Sequence, residues 1–169
     1  MTAFDEMLGS GSELRPAYAA LDLWLKEAPP ETLALRRSQA ELFFRRIGIT
    51  FAVYGDEEST ERLIPFDIIP RVLTKPEWTK LEKGLRQRVT ALNMFLADVY
   101  GSKECLKAGI IPADLVYRNA CYQLEMVDFQ VPHGIYCHIA GIDIVRVDAD
   151  TFYVLEDNAR TPSGVSYMM

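Results

Sequence analysis

At 169 residues, with 49% hydrophobic and 25% charged side chains, the chain has the composition of a globular domain with a real core, neither a fibre nor a disordered tail. A net charge of -6, from 18 basic and 24 acidic residues, argues against a nucleic-acid surface, which needs a basic stripe, and is compatible with cation binding. No run approaches the ~20 continuous apolar residues of a membrane span, and MTAFDEMLGSGSELR lacks the basic segment and apolar run of a signal peptide. A cytoplasmic protein with no membrane partner is expected.

In chain order, residues 12–27 alternate polar and apolar groups at helical spacing, with Leu14, Ala17, Tyr18, Leu21 and Leu25 on one side and Ser10 with Glu13 as a capping pair. A second helix is expected from Glu31 to Ile47, with Leu35, Leu42, Phe43 and Ile47 inward and Gly48 as its stop. Ile49 to Tyr54 is a short β-type run, ended by the turn-like Gly55-Asp56-Glu57-Glu58. Leu63 to Val72, with two prolines, reads as an irregular extended crossing.

The longest helix is predicted from Pro76 to Tyr100, with Trp78, Leu81, Leu85, Val89, Leu92, Phe95, Leu96 and Val99 as its inward stripe. Shorter helical pieces follow at Ser102 to Ala108 and Ala113 to Asn119. From Ile135 the period changes to that of a strand, IYCHIAGIDIVRV, then a turn near Asp148-Ala149-Asp150-Thr151, then FYVLEDN: a β-hairpin. The fold class is α+β, a helical N-terminal half followed by an antiparallel sheet containing the hairpin. Cys105, Cys121 and Cys137, spaced by sixteen, fit no zinc pattern and read as small buried thiols.

A loop centred between Ala149 and Asp150 places Asp143 opposite Glu156. Like charges directly opposite on an antiparallel pair repel, so something must offset them. Asn158, two residues beyond Glu156, projects from the same face. Two carboxylates, an amide oxygen and open positions suit Mg²⁺, which retains waters and takes phosphate oxygens. The bland alternative is a solvated acidic strand end, and a one-residue change of register would separate the pair.

GIDIVRVDADTFYVLEDNARTPSG, residues 141–164, resembles the metal-binding hairpin of ATP-grasp ligases, in which an Asp precedes a Glu-x-Asn on the next strand, followed by Pro and Gly. With GITFAVYGD, PFDIIPR and EWTKLEKGLRQRVTALNMFLADVY, the chain from 48 to 169 is similar to the circularly permuted ATP-grasp family, related to glutathionylspermidine synthase. The resemblance implies residues 1–47 as an N-terminal helical segment and 48–169 as the first part of a permuted ATP-grasp domain that continues beyond Met169. It implies ATP and Mg²⁺ as cofactors, an acyl-phosphate intermediate, and small-molecule or peptide carboxylate and amine substrates. The chain alone would then be inactive.

By that resemblance Asp143, Glu156 and Asn158 are the Mg²⁺ ligands, and Arg160 is the guanidinium that neutralises a phosphate or acyl-phosphate. The alternative for Arg160 is a loop contact to Asp157. Ser163 and Gly164 could turn backbone N–H groups toward an anion, and Arg71, between prolines, could reach a phosphate or make an ordinary salt bridge. One departure stands out: where D-alanine–D-alanine ligase has an Arg two positions before the metal Asp, this chain has Gly141. The competing functional classes are a non-catalytic, degenerate ATP-grasp binding or scaffold domain and a calcium-stabilised structural hairpin.

Overall fold

The computed structural model describes residues 4–11, 13–48, 50–52, 61–63, 66–162 and 164–165. They fall into two compact units, Thr2–Thr74 and Lys75–Met169. The turn expected at Gly55 to Glu58 lies outside the described residues, as does Ser163.

In the first unit, helix α1 spans Ala19–Glu27, preceded by a single 3-10 turn at Pro16–Tyr18. The helix therefore begins well after the expected residue 12, and Ser10 with Glu13 does not cap it. The reason is competition: Arg15 N–H donates to the Met7 carbonyl at 2.9 Å and its guanidinium to the Glu6 carbonyl at 2.6 Å, which folds this segment back on residues 5–9. Tyr18 is buried as expected, and its hydroxyl accepts the Val72 N–H at 3.0 Å. Helix α2, Pro30–Ile47, stops at Gly48, whose φ of 73° is the left-handed conformation that glycine adopts without strain. The stripe expected to face inward is instead exposed at Leu35, Leu42, Phe43 and Ile47. Phe44 makes the helix's aromatic contact, edge-on to Phe66 at 4.8 Å. Strands β1, Thr50–Ala52, and β2, Glu61–Leu63, pair antiparallel.

The second unit is organised by α3, Lys75–Tyr100. Leu81, Val99 and Tyr100 are buried on it, while Trp78, expected inward, is 45% exposed near its N-terminal end. At the other end the Asp98 carboxylate accepts the backbone N–H groups of Glu104 and Cys105 and the Ser102 hydroxyl, which starts α4, Glu104–Lys107, directly after α3. Those bonds, with the Cys105 thiol as the largest cause, hold Asp98 well below the usual carboxylate range. Helix α5 is Ala113–Tyr117. Tyr100 stacks between Tyr122, at 5.2 Å, and Tyr136, at 6.0 Å.

Strand β3 is Gly141–Arg146, six residues shorter at its start than expected, and β4 is Phe152–Asn158. Residues 135–140 do not join the ladder because an amide on α3 takes their donors: Asn93 Oδ1 accepts the N–H groups of Tyr136 and Cys137 at 2.7 and 2.9 Å. Between the strands, Asp148 Oδ1 accepts from the N–H groups of Asp150 and Thr151 at 2.7 and 2.8 Å, a side-chain-closed turn. Of the cysteines, Cys137 is buried, Cys105 half-buried and Cys121 exposed, the last against expectation. Among the described residues no helix is long and apolar enough to cross a membrane.

Candidate metal and phosphate site

The hairpin pairs Asp143 with Glu156, as its sequence predicts, but by a different route. Near the turn the partners are Arg146 with Phe152, Val145 with Tyr153 and Ile144 with Val154; at the open end they are Asp143 with Glu156, Ile142 with Asp157 and Gly141 with Asn158. The register shifts by one residue between them, leaving Leu155 as an extra residue in β4, a β-bulge. A uniform ladder centred between Ala149 and Asp150 is thus incorrect near the turn. The bulge restores the expected pairing further out.

This insertion decides which side chains face where. Phe152 and Val154, with Ile144, line a cavity of about 460 Å³ against Leu81, Leu85 and Arg88 of α3. Continued alternation would turn Glu156 toward the helix as well. With Leu155 interposed, and 66% exposed, Asp157 takes the helix-facing position while Glu156 joins Asp143 on the outer, exposed face. Arg88 meets Asp157 in a fork: Nε lies 2.7 and 2.9 Å from the two carboxylate oxygens and Nη2 lies 2.6 Å from Oδ2. The Arg88 bond holds the Asp157 carboxyl below its ordinary value.

Asn158 Nδ2 donates to Glu156 Oε1 at 3.0 Å, which ties the amide to one of the two acids and eases their mutual repulsion. The donor set of Asp143, Glu156 and Asn158 is all oxygen, suited to a hard cation and not to a thiophilic one. Among the described residues no three His, Cys, Asp or Glu side chains gather as a metal site, so the protein offers two acids and an amide here.

Beyond Asn158 the chain turns sharply. Arg160 is exposed, and its Nη1 donates to Cys121 Sγ at 2.7 Å. It does not take Asp157, whose carboxylate belongs to Arg88. Arg160, Thr161 and Pro162 border a groove of about 740 Å³ whose other walls include Tyr100, Tyr136 and His138. Gly164 has φ of 81°. Pro162 sits directly over Gly141: a Cβ added there would come within 2.8 Å of the proline Cβ. A glycine at position 141 is therefore a steric requirement of this loop. Arg146, on the helix-facing side, is buried against Glu77 at 2.6 Å.

Arg71 belongs to the first unit, where it forks onto Glu6 at 2.5 and 2.9 Å. That is the salt-bridge arrangement. His133 lies in a turn with φ of 57°, and His138 borders the groove beside Arg160. The turn at Asp148 is closed by its own N–H groups, as a solvated turn would be. Arg88 was not legible as part of this arrangement, because Asp157 faces the helix only once the bulge at Leu155 is in place.

The open end of the hairpin thus sets two opposed carboxylates and an amide on its outer face, with an arginine two residues beyond. Residues 70–169 match the family described as a circularly permuted ATP-grasp, and the chain belongs to that family. It is 42% identical over 98% of its length to an uncharacterized protein of Synechocystis sp., covering 34% of that protein. An uncharacterized protein of Mycobacterium tuberculosis is 41% identical over 99% of the chain, which covers 30% of it. A protein of Frankia casuarinae, named "Putative glutamate–cysteine ligase 2-2", is 39% identical over 99% of the chain, which covers 19% of it. The chain thus spans about a third or less of the length of these relatives.

Proposed function

We propose that this chain is the metal-binding N-terminal portion of an ATP- and Mg²⁺-dependent carboxylate–amine ligase that works through an acyl-phosphate. The observation that carries the reading is the outward pairing of Asp143 with Glu156, with Asn158 on the same strand end, in a chain of the permuted ATP-grasp family. The ligase name of the Frankia relative, an enzyme joining a carboxylate to an amine, supports the reaction class.

In this reading Asp143, Glu156 and Asn158 would hold the cation through their oxygens. When bound, Mg²⁺ would supply charge neutralisation for the phosphates of ATP. Arg160, at the exposed turn beyond the ligands, stabilises negative charge on the transferred phosphoryl group and on the acyl-phosphate. A substrate carboxylate oxygen forms a bond to the γ-phosphorus as ADP leaves. The amine nitrogen then bonds to the acyl carbon, inorganic phosphate departs and the amine loses a proton. The backbone N–H groups of Ser163 and Gly164 would add an anion contact. Arg71 would have to leave Glu6 to touch a phosphate.

The test is ATP binding by the full-length protein, with and without Mg²⁺, for the native sequence and for Glu156→Gln. Native affinity is expected to rise about tenfold or more with Mg²⁺, and Glu156→Gln to lose most of that gain. Equal affinity with and without the metal, or an unaltered metal dependence in the variant, overturns the reading.

A further inference from the structure

The Arg88–Asp157 fork lies on the opposite side of β4 from the proposed ligands, yet it touches the residue between two of them. We infer that Arg88 is a positioning residue for the metal site: by clamping Asp157 against α3 it selects the bulged register that turns Glu156 and Asn158 outward beside Asp143. The inference rests on the metal reading above and adds to it a residue in a different element, 68 positions from Glu156 in sequence.

The two halves of the hairpin differ by one residue of register, and the difference is absorbed at Leu155. If the turn-end register ran on without the bulge, Asp143 would oppose Leu155, and Glu156 and Asn158 would face α3. Both arrangements keep the same turn and the same first three pairs, so the ladder itself discriminates weakly between them. Arg88 does discriminate. A guanidinium bound to both oxygens of one carboxylate fixes orientation as well as distance. With all three contacts between 2.6 and 2.9 Å, Asp157 is held toward the helix. A strand alternates, so its neighbours Glu156 and Asn158 are then held away from it. The helix is a firm base for such a clamp, since Leu81 and Val99, on either side of Arg88, are buried.

A general stabilising ion pair would contribute little at this exposure and would leave the outer face indifferent to it. A positioning role predicts a specific structural change. In proton NMR of the native protein, the cross-strand contact between Asp143 and Glu156 is expected, with none between Asp143 and Leu155. In Arg88→Ala the first should weaken and the second appear, and Arg88→Lys, which keeps the charge but not the fork, should fall between. Titration with Mn²⁺ alone, followed by its electron paramagnetic resonance signal, should show at least tenfold weaker binding in Arg88→Ala and partial recovery in Arg88→Lys. Asp157→Asn tests the same clamp from the other partner, should Arg88→Ala fail to fold.

Retention of the Asp143–Glu156 contact in both Arg88→Ala and Asp157→Asn overturns the inference whatever the metal does. Loss of Mn²⁺ binding in Glu156→Gln but native affinity in Arg88→Ala also overturns it, while leaving the metal reading intact. Native Mn²⁺ affinity in Glu156→Gln overturns the metal reading, and the positioning role with it.

Discussion

The two ends of the β3–β4 hairpin are built on different physics. At the turn end, Arg146 is buried: its guanidinium donates to Glu77, to the Asp148 carbonyl at 3.0 Å and to the Ala149 carbonyl, and it lies over the Phe152 ring at 5.1 Å. At the open end, Arg88 makes an ion pair whose arginine side chain is 45% exposed, and Asp143 and Glu156 face solvent. A charge withdrawn from water must be fully paired or the fold suffers, whereas an exposed pair contributes little to stability and can still decide orientation. The hairpin therefore keeps its folding energy at one end and its proposed metal site at the other. The bulge at Leu155 is the joint between them.

The largest expected effect breaks the turn end. Arg146→Ala removes a guanidinium whose side chain is 1% exposed and disrupts the buried pair with Glu77. A loss of about 3 kcal/mol in unfolding free energy is expected, the scale of breaking a buried pair from one side. Urea denaturation measures it. Arg88→Ala, in the same assay, should lose far less, as exposed pairs do. Equal losses from the two arginines would erase the distinction between the ends.

An intermediate effect is expected from Gly141→Ala, which disturbs the open end by packing instead of charge. The new methyl would meet Pro162 Cβ at 2.8 Å and Asn158 Cβ at 3.6 Å. Proline cannot rotate away as a flexible side chain would, so the loop carrying Arg160 must shift. A cost of about 1 to 2 kcal/mol fits an overpacked site, and Mn²⁺ affinity should fall as Asn158 moves. A variant with native stability and native affinity would show that the Pro162 contact is not a constraint.

Much of this hairpin was legible in the sequence because its signal is local. Alternation marked β4 to the residue, turn chemistry marked Asp148, and the sum of residue numbers put Asp143 opposite Glu156. The bulge was not legible: an extra residue leaves no trace in a two-residue period when the residue is Leu155, apolar and acceptable on either face. The late start of β3 depended on Asn93, more than forty residues away, competing for the donors of Tyr136 and Cys137. The same holds for α2, where Leu35, Leu42, Phe43 and Ile47 recur at helical spacing and yet remain exposed. Periodicity says which residues share a face. It does not say what covers that face. The family, by contrast, was readable, because separated motifs in a fixed order carry information that no single contact supplies.

The smallest effect concerns how the turn end responds to acid, and it isolates that end from the site. The Asp150 N–H first, then the Thr151 side chain and its N–H, hold the Asp148 carboxyl below its ordinary value, with Lys80 adding a weaker attraction. A depressed folded-state value means that the stabilising contribution is present above the unfolded value of about 3.9 and is lost as pH falls through the lower folded one. Asp148→Asn keeps an acceptor oxygen for the turn but removes the charge. Its urea midpoint should therefore lie below the native one at pH 7, and the gap should close as pH falls from about 4 toward 2. Mn²⁺ binding at pH 7 should be unchanged, because Asp148 lies at the far end of the strands from Asp143 and Glu156. A gap that stayed constant with pH would mean that the turn depends on the shape of the side chain and not on its charge. A change in Mn²⁺ affinity would mean that the two ends are coupled through the bulge.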